Sequence, residues 1–235
     1  MTSLNLFFPG NPNSEIKGFI FDKDGTLLDL NSTWGKAMSQ ATIEVCESQE
    51  QVSRLAQTLG LDIEKQCFMA ESKVPETDGK TTALLISTVT DPLEFSRLTR
   101  KYANDTVKTS PGADELLQVL NKNGYRVAMA TNDSESSAKK FVELLNWNSY
   151  FELIYGFDSG YGSKPDPGML KSCCEHFQLN NDEMIMVGDT KADLLAADDA
   201  NIAYIQLGEL RNPEELEVSV KIESLAQLIP LLTLG

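Results

Sequence analysis

A chain of 235 residues, 41% hydrophobic and 23% charged, carries enough apolar surface for one large domain or for a core with an insertion. Its formal net charge of −15 excludes a surface that holds nucleic acid or an anionic membrane by charge, since both would repel it at long range. A small anionic molecule is compatible, because a bound cation and a few local positive groups can dominate the potential inside a small site. Taken in chain order, Met1–Lys17 has neither the basic start nor the long apolar segment of a secretory leader. Ile16–Phe21 is a short apolar run ending in acids, the pattern of a buried strand. From about Asn31 to Lys108 the periodicity is helical: Trp34, Ala37, Met38, Ala41 and Val45 share one stripe, and Val52, Leu55, Ala56 and Leu59 another. Asp91-Pro92 opens a further helix carrying Phe95, Leu98 and Tyr102.

Beyond that stretch, strands and helices alternate. Ala113–Lys122 reads as a helix between Pro111 and Gly124, and Ser134–Leu145 as another with Ala138, Phe141, Val142 and Leu145 on one face. Tyr125–Ala130, Leu153–Tyr155, Met184–Val187 and Ile202–Leu207 read as strands. The alternation predicts an α/β fold, a doubly wound, Rossmann-like parallel sheet with a helical cap inserted after the first strand. The expected boundaries are 1–30 and 109–235 for the core and 31–108 for the cap. Ligands of such sheets bind outside the carboxyl ends of the strands. No apolar run approaches the ~20 residues that span a bilayer. Cys46, Cys67, Cys173 and Cys174 lack metal-ligand spacing, so reduced thiols in a cytoplasmic protein are expected.

Four segments at strand ends carry the chemistry. Phe21-Asp22-Lys23-Asp24-Gly25-Thr26-Leu27 closes the first strand. A carboxylate there can attack as a nucleophile, while a second, two residues later, moves protons. Gly25 permits a sharp change of direction, and Thr26 adds a hydroxyl and an N–H. An acidic turn with a glycine is common, so the segment gains weight from the other three. Thr131-Asn132 follows the strand from Tyr125; both side chains can bond phosphate oxygens, or the segment through Ser134 can cap a helix. The two uses are compatible, because helix N-termini favour anions. Lys164 stands in Gly162-Ser163-Lys164-Pro165-Asp166-Pro167, where Pro165 restricts it towards an extended conformation. A lysine fixed there can neutralise a phosphoryl group; a solvated loop lysine is the ordinary alternative. Gly188-Asp189-Thr190-Lys191-Ala192-Asp193 follows the strand Met184–Val187, and Asp189 and Asp193, four apart, can share a side or serve as cap and surface acid.

In this order the four segments resemble the motifs of the haloacid dehalogenase superfamily, from Ile16 to about Leu207, with the helical insertion in the place of that family's first type of cap. Within it the chain looks like the phosphoglycolate phosphatase-like group. The resemblance implies that Asp22 is the nucleophile, Asp24 the general acid/base, Thr131 the phosphate-binding position and Lys164 the lysine of the third motif. It further implies that Asp189 binds Mg²⁺ together with Asp22 and the main-chain carbonyl of Asp24, and that Asp193 is the supporting acid. Asn132 is expected to make a further phosphate or substrate contact. The implied activity is Mg²⁺-dependent hydrolysis of a small, phosphoglycolate-like phosphate monoester through an aspartyl-phosphate. The implied partner is thus a small phosphorylated metabolite, with no nucleic acid and no membrane, and no oligomeric state is assigned.

Charge logic agrees: carboxylates and a dianionic ester repel unless cations join them, and Mg²⁺ accepts a few protein oxygens plus water. Among rivals, a 2-haloacid dehalogenase needs neither Mg²⁺ nor an acid at position 24, so Asp24 disfavours it. A phosphosugar mutase stays open. A catalytically silent regulatory binding protein would not require Asp22, Asp24, Lys164 and Asp189 together. His176 reads as a packing residue, Trp34 and Met38 as core of the insertion, and Lys23, between two acids, as a side chain free to point elsewhere. Lys73 and Lys80 flank Val74-Pro75-Glu76-Thr77-Asp78-Gly79, which reads as a cap loop and a source of specificity.

Overall fold

The computed structural model describes residues 15–77, 79–209 and 220–233. They form two compact units: the chain up to Leu27 together with Thr109 onward, and Leu28–Lys108. In chain order the elements are β1 (Gly18–Phe21), α1 (Lys36–Val45), α2 (Gln49–Leu59), β2 (Leu61–Asp62), β3 (Cys67–Phe68), α3 (Gly79–Ser87) and α4 (Pro92–Thr106). There follow α5 (Ala113–Lys122), β4 (Arg126–Ala130), α6 (Glu135–Leu144), β5 (Leu153–Tyr155), α7 (Gly168–Phe177), β6 (Met184–Gly188), α8 (Lys191–Ala200), β7 (Ala203–Leu207), β8 (Lys221–Ile222) and α9 (Ile229–Thr233).

The first unit is a six-stranded sheet in the order β5-β4-β1-β6-β7-β8, with every neighbouring pair parallel. β1 runs between β4 and β6, with Phe21 level with Met129 on one side and Val187 on the other. A strand enclosed on both edges and both faces must be apolar throughout, which is why Phe19, Ile20 and Phe21 are wholly buried. Ile20, Ala128, Ala130, Met184, Met186 and Tyr204 meet Met169, Leu170, Cys173 and Phe177 of α7 and Leu194 and Ala197 of α8 in one core layer. The alternate residues Phe19, Phe21, Val127 and Met129 lie on the other face, where α5 packs against β4. After β5 the chain returns to the far side of β1, and that reversal makes the carboxyl ends of β1, β4 and β6 the switch point of the sheet.

The second unit is helical, built on a core of Leu30, Ala41, Leu55, Leu59, Leu61, Phe68, Ile86, Phe95 and Leu98. Its helices begin and end where local chemistry dictates. Ser48 accepts from the N–H of Gln51 at the start of α2, and Gly60 closes it at φ 64°. Asp91 caps α4 with Pro92 at its first position. The unit starts at Leu28, three residues before the boundary expected at 31, because Leu30 is part of its core and the N–H of Asp29 bonds the carbonyl of Lys108. The segment expected as a loop between Lys73 and Lys80 is shorter than that: Val74–Glu76 is a 3₁₀ turn and α3 already begins at Gly79. Lys80 therefore stands in the first turn of a helix, and Asp78 lies outside the described residues. Among the described residues, no helix is long and apolar enough to cross a membrane.

Candidate active site

Asp22 leaves β1 still held by the sheet, its N–H donating to the carbonyl of Val187. The backbone then turns back, the N–H of Leu27 donating to the carbonyl of Lys23. Gly25 sits at φ 96°, and a Cβ there would run into the Asp189 carboxylate. Glycine is thus required twice over, for the turn and for the approach. Thr26 Oγ1 donates to Asp189 Oδ1 at 3.0 Å, tying the end of β6 to this turn.

Asp193 is placed by the start of α8. Thr190 and Asp193 form a reciprocal cap: Asp193 Oδ2 accepts from the Thr190 N–H at 3.0 Å and from its hydroxyl at 2.6 Å. Lys164 Nζ then bridges the two strand ends, 2.5 Å from Asp22 Oδ1 and 2.5 Å from Asp193 Oδ1. The lysine is 4% exposed. It is no solvated loop residue. Burial works against its ammonium, but Asp193 and Asp22 outweigh it and raise the pKa. Burial lifts the Asp22 carboxyl to about 7 against the pull of Lys164, and Asp193 and Asp24 push the same way as burial.

Asn132 is held against the third segment. Its Oδ1 accepts from the N–H of Lys164 at 2.8 Å and its Nδ2 donates to the carbonyl of Lys164 at 2.9 Å. An amide used at both ends in this way clamps the backbone of Lys164. Thr131 is 1% exposed; its hydroxyl accepts from the N–H of Asp133 at 3.1 Å. Capping of α6 falls to Ser134, which accepts from the N–H of Ser137, so the helix-cap reading of this segment holds for Ser134 and leaves Thr131 at the strand end.

Two groups, Lys23 and Tyr204, escaped the sequence reading, and Thr26 was read there without its partner. Lys23 is fully buried, and its ammonium lies between Asp24 and Asp133. Thr26 fastens Asp189. The Tyr204 hydroxyl stands 2.7 Å from Gln206 Oε1 and 3.3 Å from the carbonyl of Thr190, beneath the α8 cap. Tyr204 and Gln206 share one face of β7 two residues apart, and that polar pair inside an apolar run was the available signal.

Asp22, Asp189 and Asp193 each offer a buried oxygen, all within 4.8 Å of one another. Oxygens around one Mg²⁺ at about 2.1 Å stand roughly 3 to 4.2 Å apart, close to this spacing, and all-oxygen donors are the kind a small hard cation takes. Both oxygens of Asp193 already accept from Lys164 and Thr190, which leaves Asp22 and Asp189 as the acids best suited to a metal. The Asp24 carboxylate is outside this group.

Residues 19–207 match the family described as Haloacid dehalogenase-like hydrolase. The chain belongs to that family. The phosphoglycolate phosphatase of Agrobacterium fabrum is 30% identical over 223 residues, 91% of each chain. That of Nitrosospira multiformis is 29% identical over 182 residues, 77% of this chain and 78% of the relative. A crystal structure of a HAD-superfamily hydrolase, subfamily IA, from Geobacter sulfurreducens PCA is similar with a TM-score of 0.65 at 22% identity, covering 94% of this chain and 98% of that one. Within the family the chain stands in the phosphoglycolate phosphatase-like group, as a phosphoric monoester hydrolase.

Proposed function

We propose that this chain is a Mg²⁺-dependent phosphatase acting on a small, carboxylated phosphate monoester of the phosphoglycolate kind through an aspartyl-phosphate on Asp22. The observation that carries the reading is Lys164, buried and shared between Asp22 and Asp193 beside Asp189 at the switch point of the sheet. Asp22, Asp189 and the main-chain carbonyl of Asp24 would hold the metal, which supplies charge neutralisation for the phosphoryl oxygens. Asp22 attacks phosphorus, and Lys164 keeps that carboxylate oriented while offsetting the charge that gathers on the transferring group. Asp24 protonates the leaving alkoxide and, once ionised, takes a proton from the water that cleaves the phosphoenzyme. Thr131 offers its hydroxyl to the phosphoryl group from the end of β4. A panel of phosphate esters, assayed for phosphate release with and without Mg²⁺ beside a 2-haloacid, tests the reading; halide release without phosphate release would overturn it.

Asn132→Ala should lower kcat by about 10- to 100-fold while KM changes little, because a lysine displaced by a fraction of an ångström misplaces the charge that transfer requires. A raised KM with kcat intact would instead make Asn132 a substrate contact.

The helical unit acts as the cap in this reading, and its exposed Lys73 and Lys80 are the cations it offers to a substrate carboxylate. Lys73→Ala and Lys80→Ala should each cut kcat/KM for a carboxylated ester by roughly 10- to 150-fold, the worth of one charge-assisted hydrogen bond. An uncharged aryl phosphate should be spared. Equal losses on both substrates would point to damaged folding, and no loss on either would remove these lysines from recognition.

A further inference from the structure

We propose that Lys23 is a positioning residue for Asp24: with Asp133 as its anchor, it fixes the Asp24 carboxylate apart from the Asp22, Asp189 and Asp193 cluster and so reserves it for proton transfer. The inference rests on the acid–base reading of Asp24 given above.

The geometry is specific. Lys23 Nζ lies 2.7 Å from Asp24 Oδ1 and 2.6 Å from Oδ2, an ion pair that engages both oxygens. On its other side the same ammonium is 3.1 Å from Asp133 Oδ2 and 4.6 Å from the centre of the Phe141 ring. Asp133 is itself fixed, its Oδ1 accepting from the N–H of Ser134 at 2.7 Å. The lysine has 0% exposure. Two lysines thus divide the acids at the strand ends. Lys164 takes Asp22 and Asp193, and Lys23 takes Asp24 and Asp133.

Neighbouring side chains on a strand point to opposite faces, so the Lys23–Asp24 pairing is a product of the turn that Gly25 allows at φ 96°. A buried ion pair is a poor stabiliser beside an apolar residue of the same size, because desolvation consumes most of the attraction. Stability alone therefore gives no reason for a lysine among Phe141 and two acids. Orientation does. A short aspartate at the end of a turn has several rotamers, and one that swung towards Asp22, Asp189 and Asp193 would compete for any cation they hold. An ammonium that binds both oxygens removes that freedom and that competition.

The test uses Lys23→Met, which keeps the stem and removes the charge, and Asp133→Asn, which weakens the anchor and leaves the lysine. Each is assayed on an alkyl phosphate such as 2-phosphoglycolate and on p-nitrophenyl phosphate, whose leaving group needs no proton. Lys23→Met should lose about 10- to 100-fold in kcat/KM, which reports formation of the phosphoenzyme, on the alkyl ester and less than about threefold on the aryl ester; kcat, which includes cleavage of the shared phosphoenzyme, falls on both. Asp133→Asn should lose in the same sense, about 3- to 10-fold. Mg²⁺-induced thermal stabilisation, read without substrate, should persist in both, since the metal-binding acids are untouched. Asp24→Asn runs in parallel. If it shows the leaving-group-selective loss and the other two show none, or lose equally on both esters, the role of Lys23 is overturned. If Asp24→Asn itself loses equally on both esters in kcat/KM, it is the acid–base reading of Asp24 that fails. Should Lys23→Met not fold, Asp133→Asn decides alone.

Discussion

Asp22→Asn should form no phosphoenzyme and should lose roughly 10⁴-fold or more in kcat, the scale on which enzymes fail when a nucleophile is removed. The amide keeps the shape of the side chain but offers no anionic oxygen to phosphorus. It also leaves Lys164 with Asp193 as its one remaining carboxylate partner of the two that it contacts at 2.5 Å. Rapid acid quenching followed by peptide mass analysis reads the result: the native protein should carry one phosphoryl group on the peptide containing Asp22, and the variant none. A phosphoryl group found elsewhere in the variant's strand-end segments would move the nucleophile.

Chelation should abolish turnover, and Mg²⁺ should restore it where Ca²⁺ does so poorly, because the larger ion tolerates more ligands and looser geometry than the small site offers. The same experiment has a readout without catalysis. A cation that binds only the folded chain stabilises it by about 2.7 kcal/mol at one hundred times its Kd, so melting should move upward with Mg²⁺. Asp189→Asn should flatten that response, since Asp189 is one of the three clustered acids and is held in place by Thr26. Full turnover in chelator, or an unchanged metal response in Asp189→Asn, would remove Asp189 from the metal site.

The parts of this site that were legible in the sequence are those set by one-dimensional signals. Asp22, Thr131 and Asp189 each follow a short apolar run, and a buried strand carries whatever comes next to the edge of the sheet. Lys164 is caught by the prolines after it, and Asp193 by its spacing of four from Asp189. The Ala113–Lys122 helix was legible to the residue, since Pro111 and Gly124 bracket it. What escaped depends on side-chain direction after a turn. Lys23 was passed over because a residue between two acids can point either way, and the choice is made by the backbone at Gly25 together with Asp133, more than a hundred positions further on. Asn132 was read for its chemistry, while its partner is a backbone brought alongside by folding. β2, β3 and β8 are two residues each, too short for an alternation to register. The stretch flanked by Lys73 and Lys80 reads as a loop, yet Gly79 already begins a helix.

The central position of β1 has a consequence for the making of the protein. Gly18 pairs with Met184, and Phe21 with Val187, across most of the chain. Phe19-Ile20-Phe21 leaves the ribosome before both of its neighbours, and the second, β6, follows more than a hundred positions later. Contacts so distant in sequence form slowly and leave an apolar edge open meanwhile. A nascent chain released before β6 therefore carries Asp22 but lacks Asp189, the Asp193 partner of Lys164 and one whole wall of the strand that leads into Asp22. The order of synthesis thus leaves the Asp22 segment waiting for the strands that complete its surroundings.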